Sequence, residues 1–183
     1  HKKNISFSIP LSGSTLESSN LLLNDLEKKF SIKFIKNKKS RLHINLFSGS
    51  TENLDEIVSF IKKNLDFNYD LNLKLLGFGA FLTAYPTIFI RFENTNFFSH
   101  LRKIFFKTSD LWNTIEETVK RKLWIPKCTL VHKDMDTKFM NDVVKFLNLQ
   151  SLPPMMRIEE ISILDFSKDE IEIDSFFLNK ILK

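Results

Sequence analysis

The sequence predicts an α+β fold of two pseudo-symmetric lobes, with antiparallel or mixed sheets lining a central cleft and helices outside. Three observations predict it. Along the 183 residues, apolar patterns of period two, which mark strands, alternate with patterns of period 3.6, which mark helices. The order strand, helix, strand, helix, strand is followed by roughly the same order again, without an obvious sequence repeat. Each half also holds one apolar run carrying a polar pair two residues apart: His43 with Asn45 in 41–49, and Lys127 with Thr129 in 123–132. The expected organisation is a single bilobal domain over 1–183, with lobe halves of roughly 1–84 and 85–183.

The elements follow in order. Residues 4–10 alternate Ile5, Phe7 and Ile9 against Ser6 and Ser8, a half-buried strand stopped by Pro10 and Gly13. Ser14 or Thr15 can cap a helix to about Phe30, with Leu16, Leu22, Leu23, Leu26 and Phe30 at apolar positions. A short strand is expected at 32–35, then a basic loop, KNKKSR, over 36–41. The first polar-pair strand ends at Ser48-Gly49, and a helix opening at Thr51 or Asn53 runs to about Leu65. A strand over 69–75 leads to Gly77 and Gly79, which suit a bend or bulge better than a phosphate loop.

The second half is expected to hold a strand at 87–92 and helices at 96–107 and 110–122. His100 lies near the apolar face of the first of these helices and reads as structural. The second polar-pair strand follows, then a helix over 135–149 broken by Pro153-Pro154. Strands over 156–166 and 170–177 are expected to pair antiparallel and close the fold.

Composition is that of an ordinary globular chain, 43% hydrophobic and 27% charged, and long enough to bury a core. The 19 phenylalanines are unusual. A net charge of +5 favours an anionic partner such as a nucleotide or RNA as readily as it describes a solvated basic surface. The single cysteine, Cys128, excludes an internal disulfide, suggests a reducing compartment, and sits in an apolar strand as a buried thiol rather than a nucleophile. No run approaches the length of a transmembrane helix and no signal peptide is visible, so the expected location is cytoplasmic, without a membrane partner.

Residues two apart on a strand face the same way, so each polar pair presents two groups on one face. His43-x-Asn45 and Lys127-x-Thr129, the latter approached through Trp124-Ile125-Pro126 and continued by Leu130, resemble the two His-x-Thr/Ser-hydrophobic motifs of the 2H phosphoesterase superfamily. That superfamily includes the 2′-5′ RNA ligases and the 2′,3′-cyclic nucleotide phosphodiesterases. The resemblance spans nearly the whole chain and implies the bilobal fold. It further implies action without a metal or other cofactor on a nucleotide or RNA with a cyclic or 2′-5′ phosphodiester; the expected state is a monomer.

Carried over residue by residue, the resemblance makes His43 the acid that protonates the leaving oxygen and Lys127 the occupant of the base position. Asn45 and Thr129 become donors to the phosphate oxygens. Two departures matter: the family has histidine where this chain has Lys127, and Thr or Ser where it has Asn45. An unperturbed lysine, with a pKa of about 10.4, is a point charge for phosphate rather than a base. His132 offers a substitute base only if a bulge turns it to the face of Lys127. Phe89, Phe92 and Tyr85 are candidates for stacking on a base or, by default, core. Two functions therefore stand side by side: a cyclic phosphodiesterase or 2′-5′ RNA ligase-like enzyme, and a catalytically degenerate nucleotide- or RNA-binding module of the same fold. A purely structural or interaction module is the third.

Overall fold

A computed structural model describes residues 1–66, 68–167 and 169–178. It contains two sheets in which all strand pairs are antiparallel. The first sheet has the order β5 (Thr114–Ile115), β2 (His43–Thr51), β1 (Lys3–Pro10), β8 (Glu160–Asp165), β9 (Ile171–Phe177). The second has the order β6 (Lys127–Val131), β4 (Thr87–Phe92), β3 (Asn72–Phe81), β7 (Met155–Arg157). The longer helices are α1 (Gly13–Phe30), α2 (Leu54–Asn64), α3 (Asn96–Phe106) and α5 (Met140–Asn148), with a single turn, α4 (Glu117–Lys120), between β5 and β6. The class is α+β, as expected.

The two sheets do not follow the two halves of the sequence. The expected boundary at 84/85 falls inside the β3–β4 hairpin of the second sheet, while β8 and β9, from the end of the chain, flank β1 in the first. The crossing occurs where one strand was expected over 156–166. The Ile158 amide bonds Leu71 just before β3 of the second sheet, while the carbonyl of Glu159 accepts from Leu178 beside the first, so the extended run changes sheets and becomes β7 and β8. The closing antiparallel pair survives as β8–β9.

Three expectations about single elements are corrected. In place of a strand at 32–35 the chain turns over 34–37, because the Asp134 carboxylate takes the amide hydrogens of both Lys33 and Phe34, at 2.7 Å each, and Asn37 bonds back to Lys33. Residues 110–122 are not one helix. Their backbone groups go to β2 instead: Asn113 N–H donates to Ser50 and Glu116 N–H to Ser48, with β5 between. Helical periodicity in 110–122 lost to these strand-edge hydrogen bonds. The helix expected over 135–149 also starts late, as a 3₁₀ turn at Thr137–Phe139 followed by α5.

The core takes up part of the phenylalanine content. α3 buries Phe97, Phe98, Leu101, Ile104 and Phe105, and Phe105 stacks on Phe47 of the first sheet with ring centroids 5.3 Å apart and meets Phe7 at 5.0 Å. Trp112 closes this cluster and donates from Nε1 to Thr108. Each such ring contributes about 1.5–3 kcal/mol by leaving water. Gly49 is where β5 and Trp112 approach β2: a Cβ there would lie 2.1 Å from the Thr114 carbonyl oxygen. Gly77, at φ +84°, sits in the irregular register between Leu75 and Phe78, which is the bulge expected of it.

With helices behind, the opposite face of the first sheet is left for the cleft. Ser6 and Ser8 on β1 are accordingly buried at 6% and 0% exposure rather than solvated, because β1 is central and its polar face forms the cleft floor.

Candidate functional site

His43, Asn45, Lys127 and Thr129 all line one cleft of about 920 Å³, together with Ser48, His132, Arg121 and Glu170. The sequence placed the first four on two separate strands; the structure brings those strands to one hollow. Behind it the backbone of His43 hydrogen-bonds toward the buried Cys128 thiol. Burial pushes that thiol up to about 12 against this bond and the charge of Lys127, so Cys128 is no nucleophile.

Each motif strand carries a bulge in the same place. On β2, Ser8 pairs with Asn45 and Phe7 with Phe47, so Leu46 is the extra residue. On β6, Phe89 pairs with Thr129 and Ile88 with Val131, so Leu130 is the extra residue. A bulge advances the alternation by one. Leu46 and Phe47 therefore both turn to the core, as do Leu130 and Val131, all fully buried. The cleft face then reads His43, Asn45, Ser48 on one strand and Lys127, Thr129, His132 on the other. Strict alternation would have put His132 on the opposite face; the bulge is what admits it.

The first motif is already satisfied by protein groups. Nδ1 of His43 lies 2.7 Å from the Arg41 carbonyl oxygen, and Nε2 lies 3.1 Å from Oε1 of Glu170. Both partners are acceptors, so the ring meets both only by donating from both nitrogens. Asn45 accepts from Ser6 at 2.7 Å and donates to Ser48 at 2.9 Å, and Ser6 in turn meets Ser8 at 3.2 Å. One amide hydrogen of Asn45 remains for a ligand.

Glu170 was not singled out by the sequence. It precedes β9 in the left-handed region, φ +54°, an uncommon conformation for a side chain of its size. Its carboxylate bridges His43 and Lys38. Burial raises the Glu170 carboxyl, but hydrogen bonds and charge from His43, and then from Lys38, outweigh this and hold it at about 2. The rest of the basic loop is likewise paired: Lys36 with Glu27, Lys39 with Asp169, and Arg41 with Glu160 and Glu172. The run of positive charge most visible in the sequence is thus largely neutralised by the β8–β9 hairpin and its neighbours.

The second motif is open. Among the described residues Lys127 has no ion pair, and the Thr129 hydroxyl has no hydrogen bond. The Lys127 ammonium sits 5.8 Å and 5.6 Å from the ring centres of Phe81 and Phe89. Burial lowers its pKa, Arg121 adds to this and Cys128 opposes it, so Lys127 is closer to a base than an ordinary lysine. His132 is pushed down as well, first by burial and then by Lys133, Lys38 and Lys127, with Asp134 opposing. Its Nδ1 lies 3.0 Å from the Thr87 hydroxyl. Phe89 and Phe92 are core residues at 2% exposure, and Tyr85 is exposed outside the cleft lining. His100 is structural, accepting from the Asp66 amide at 3.0 Å and stacking on Tyr69. No helix among the described residues is long and apolar enough to cross a membrane.

Neither a family model nor a curated protein sequence matches this chain. Among solved structures it is similar to LigT of E. coli in its apo form, with a TM-score of 0.53 and 11% identity over 96% of this chain and 97% of LigT. At that identity the likeness is one of architecture: the chain has a LigT-like fold.

Proposed function

We propose that the cleft is a 2H phosphoesterase-type site that binds the phosphodiester of a nucleotide or RNA, cyclic 2′,3′ or 2′-5′-linked, and hydrolyses it slowly. The observation that carries this reading is the matched pair of strands: polar groups at the same three offsets, past the same bulge, face one hollow from both sheets. The LigT-like fold is consistent with it.

In this reading Lys127 supplies the charge and Thr129 the hydroxyl that meet the phosphate, with the free amide hydrogen of Asn45 opposite. A phosphate entering the cleft takes the place of the Glu170 carboxylate at His43 Nε2. Hydrolysis of a cyclic ester then needs a water oxygen to bond to phosphorus as the bond to one ribose oxygen breaks. His43 donates its Nε2 proton to that oxygen, and His132, its pKa lowered first by burial and then by its cationic neighbours, receives the proton from water. Lys127 in the base position keeps turnover low. Binding without turnover is the second reading, favoured by the same unpaired ammonium.

Calorimetric titration with adenosine 2′-monophosphate, alongside product analysis with adenosine 2′,3′-cyclic phosphate, tests both readings. Binding lost in Lys127→Ala is expected. A wild type that binds neither compound rules out the cleft assignment.

A further inference from the structure

We propose that the hollow between α3 and residues 122–124 is a second anion site, one that holds the phosphate backbone of a single-stranded nucleic acid leaving the cleft. The course of the strand rests on the cleft reading above; the site itself rests on separate observations. The hollow has a volume of about 700 Å³, and Arg102, Lys103, Lys107 and Lys122 line it while no aspartate or glutamate does. None of these four cations forms an ion pair among the described residues. The KNKKSR loop, richer in charge by sequence, is matched by carboxylates at Lys36, Lys38, Lys39 and Arg41. This hollow therefore gathers four cations on one surface with no carboxylate in its lining.

The arginine is fixed in place. Its guanidinium lies 4.7 Å from the Trp124 ring centre and 5.4 Å from that of Phe106, and Nη2 donates to the Val119 carbonyl at 2.9 Å. Nη1 is buried without a partner among the described residues, and burial pushes the guanidinium below its usual pKa. A partly desolvated cation without a counter-ion is stabilised by a nearby anion. Lys103 and Lys107 also suit the C-terminal carbonyls of α3, but that does not account for Lys122 or for the buried arginine.

The ligand class follows from what is offered. Trp124 has Arg102 against it and packs on Phe98 with centroids 5.4 Å apart, so the aromatic rings hold the arginine rather than present a stacking platform. The lining also holds the neutral polar groups Asn64, Asn94, Ser99 and His100, but its charge comes from the four cations, and such charge binds phosphates irrespective of sequence. Continuity with the cleft comes from consecutive residues: Arg121 lines the cleft and Lys122 the second hollow.

The test compares the wild type with the triple variant Lys103→Ala/Lys107→Ala/Lys122→Ala, whose altered positions are all exposed. Anisotropy reports binding of a labelled single-stranded RNA of about a dozen nucleotides across a salt series, and calorimetry reports binding of adenosine 2′-monophosphate. The expected result is at least about a tenfold loss for the RNA at low salt. Its log–log salt slope should fall by about 2, from roughly 0.7 per phosphate contact on a single strand. Mononucleotide binding should not change. An unchanged RNA affinity and slope overturns the proposal, as does an equal loss for the mononucleotide. Binding of an acidic peptide as tight as the RNA on the same lysines overturns the assignment to nucleic acid. If the RNA binds through these lysines while no mononucleotide binds at all, the cleft reading fails and the second site stands.

Discussion

The Oε1 atom of Glu170 lies 3.1 Å from Nε2 of His43, and the other carboxylate oxygen pairs with Lys38. An internal anion thus occupies the ring nitrogen that a phosphate oxygen or leaving group would need. Removing its charge should favour external anions. Glu170→Gln is expected to bind adenosine 2′-monophosphate about tenfold more tightly, some 1.4 kcal/mol, measured by calorimetry. Equal or weaker binding would mean that the carboxylate orients His43 for the ligand rather than competing with it.

The same pair makes a stability prediction with a definite sign. Glu170 is held at about 2 in the folded state against an ordinary value of 4.5, so its contribution is present above pH 4.5 and is lost as pH falls toward 2. After screening, that contribution is about 2 kcal/mol. Urea unfolding should find Glu170→Gln less stable than wild type at pH 6, with the gap closing between pH 4.5 and pH 2. A gap that stays constant across this window contradicts the pairing.

In the proposed mechanism, Lys127→His places an imidazole at the base position. Hydrolysis of adenosine 2′,3′-cyclic phosphate is expected to rise by roughly a hundredfold, within the range for a positioned acid or base. A wild type that already turns over quickly and loses all activity in Lys127→Ala would show that the lysine itself is the base.

His132→Ala separates proton transfer from phosphate binding. The proposed slow hydrolysis is expected to drop by about tenfold or more while the affinity for adenosine 2′-monophosphate holds, because in that proposal Lys127 meets the phosphate charge. An affinity loss with unchanged turnover would make His132 a binding group.

Gly49→Ala tests the close contact that sets β5 against β2. With backbone 2.1 Å from the new Cβ the strands must part, at a cost of roughly 2–4 kcal/mol in urea unfolding. A loss under about 0.5 kcal/mol would show that the β5 edge moves aside freely.

Much of this protein was legible in order along the chain. Alternation located β1, β4, β8 and β9, helical spacing located α1, α2 and α3, and two spaced polar pairs marked the strands that meet at the cleft, because these signals are local and depend only on which side chains share a face. What tertiary structure decided was everything that depends on a partner distant in sequence. Residues 113–116 became a strand edge because Ser48 and Ser50 bonded their amides, and 156–166 divided at Ile158 and Glu159, which bond Leu71 and Leu178 beside different sheets. His132 reached the cleft through a bulge at Leu130, and Glu170, some 127 positions beyond His43, closed on its imidazole. A register shift and a charge pair are settled by the energy of the assembled sheets, and no window of residues contains both sides of that balance.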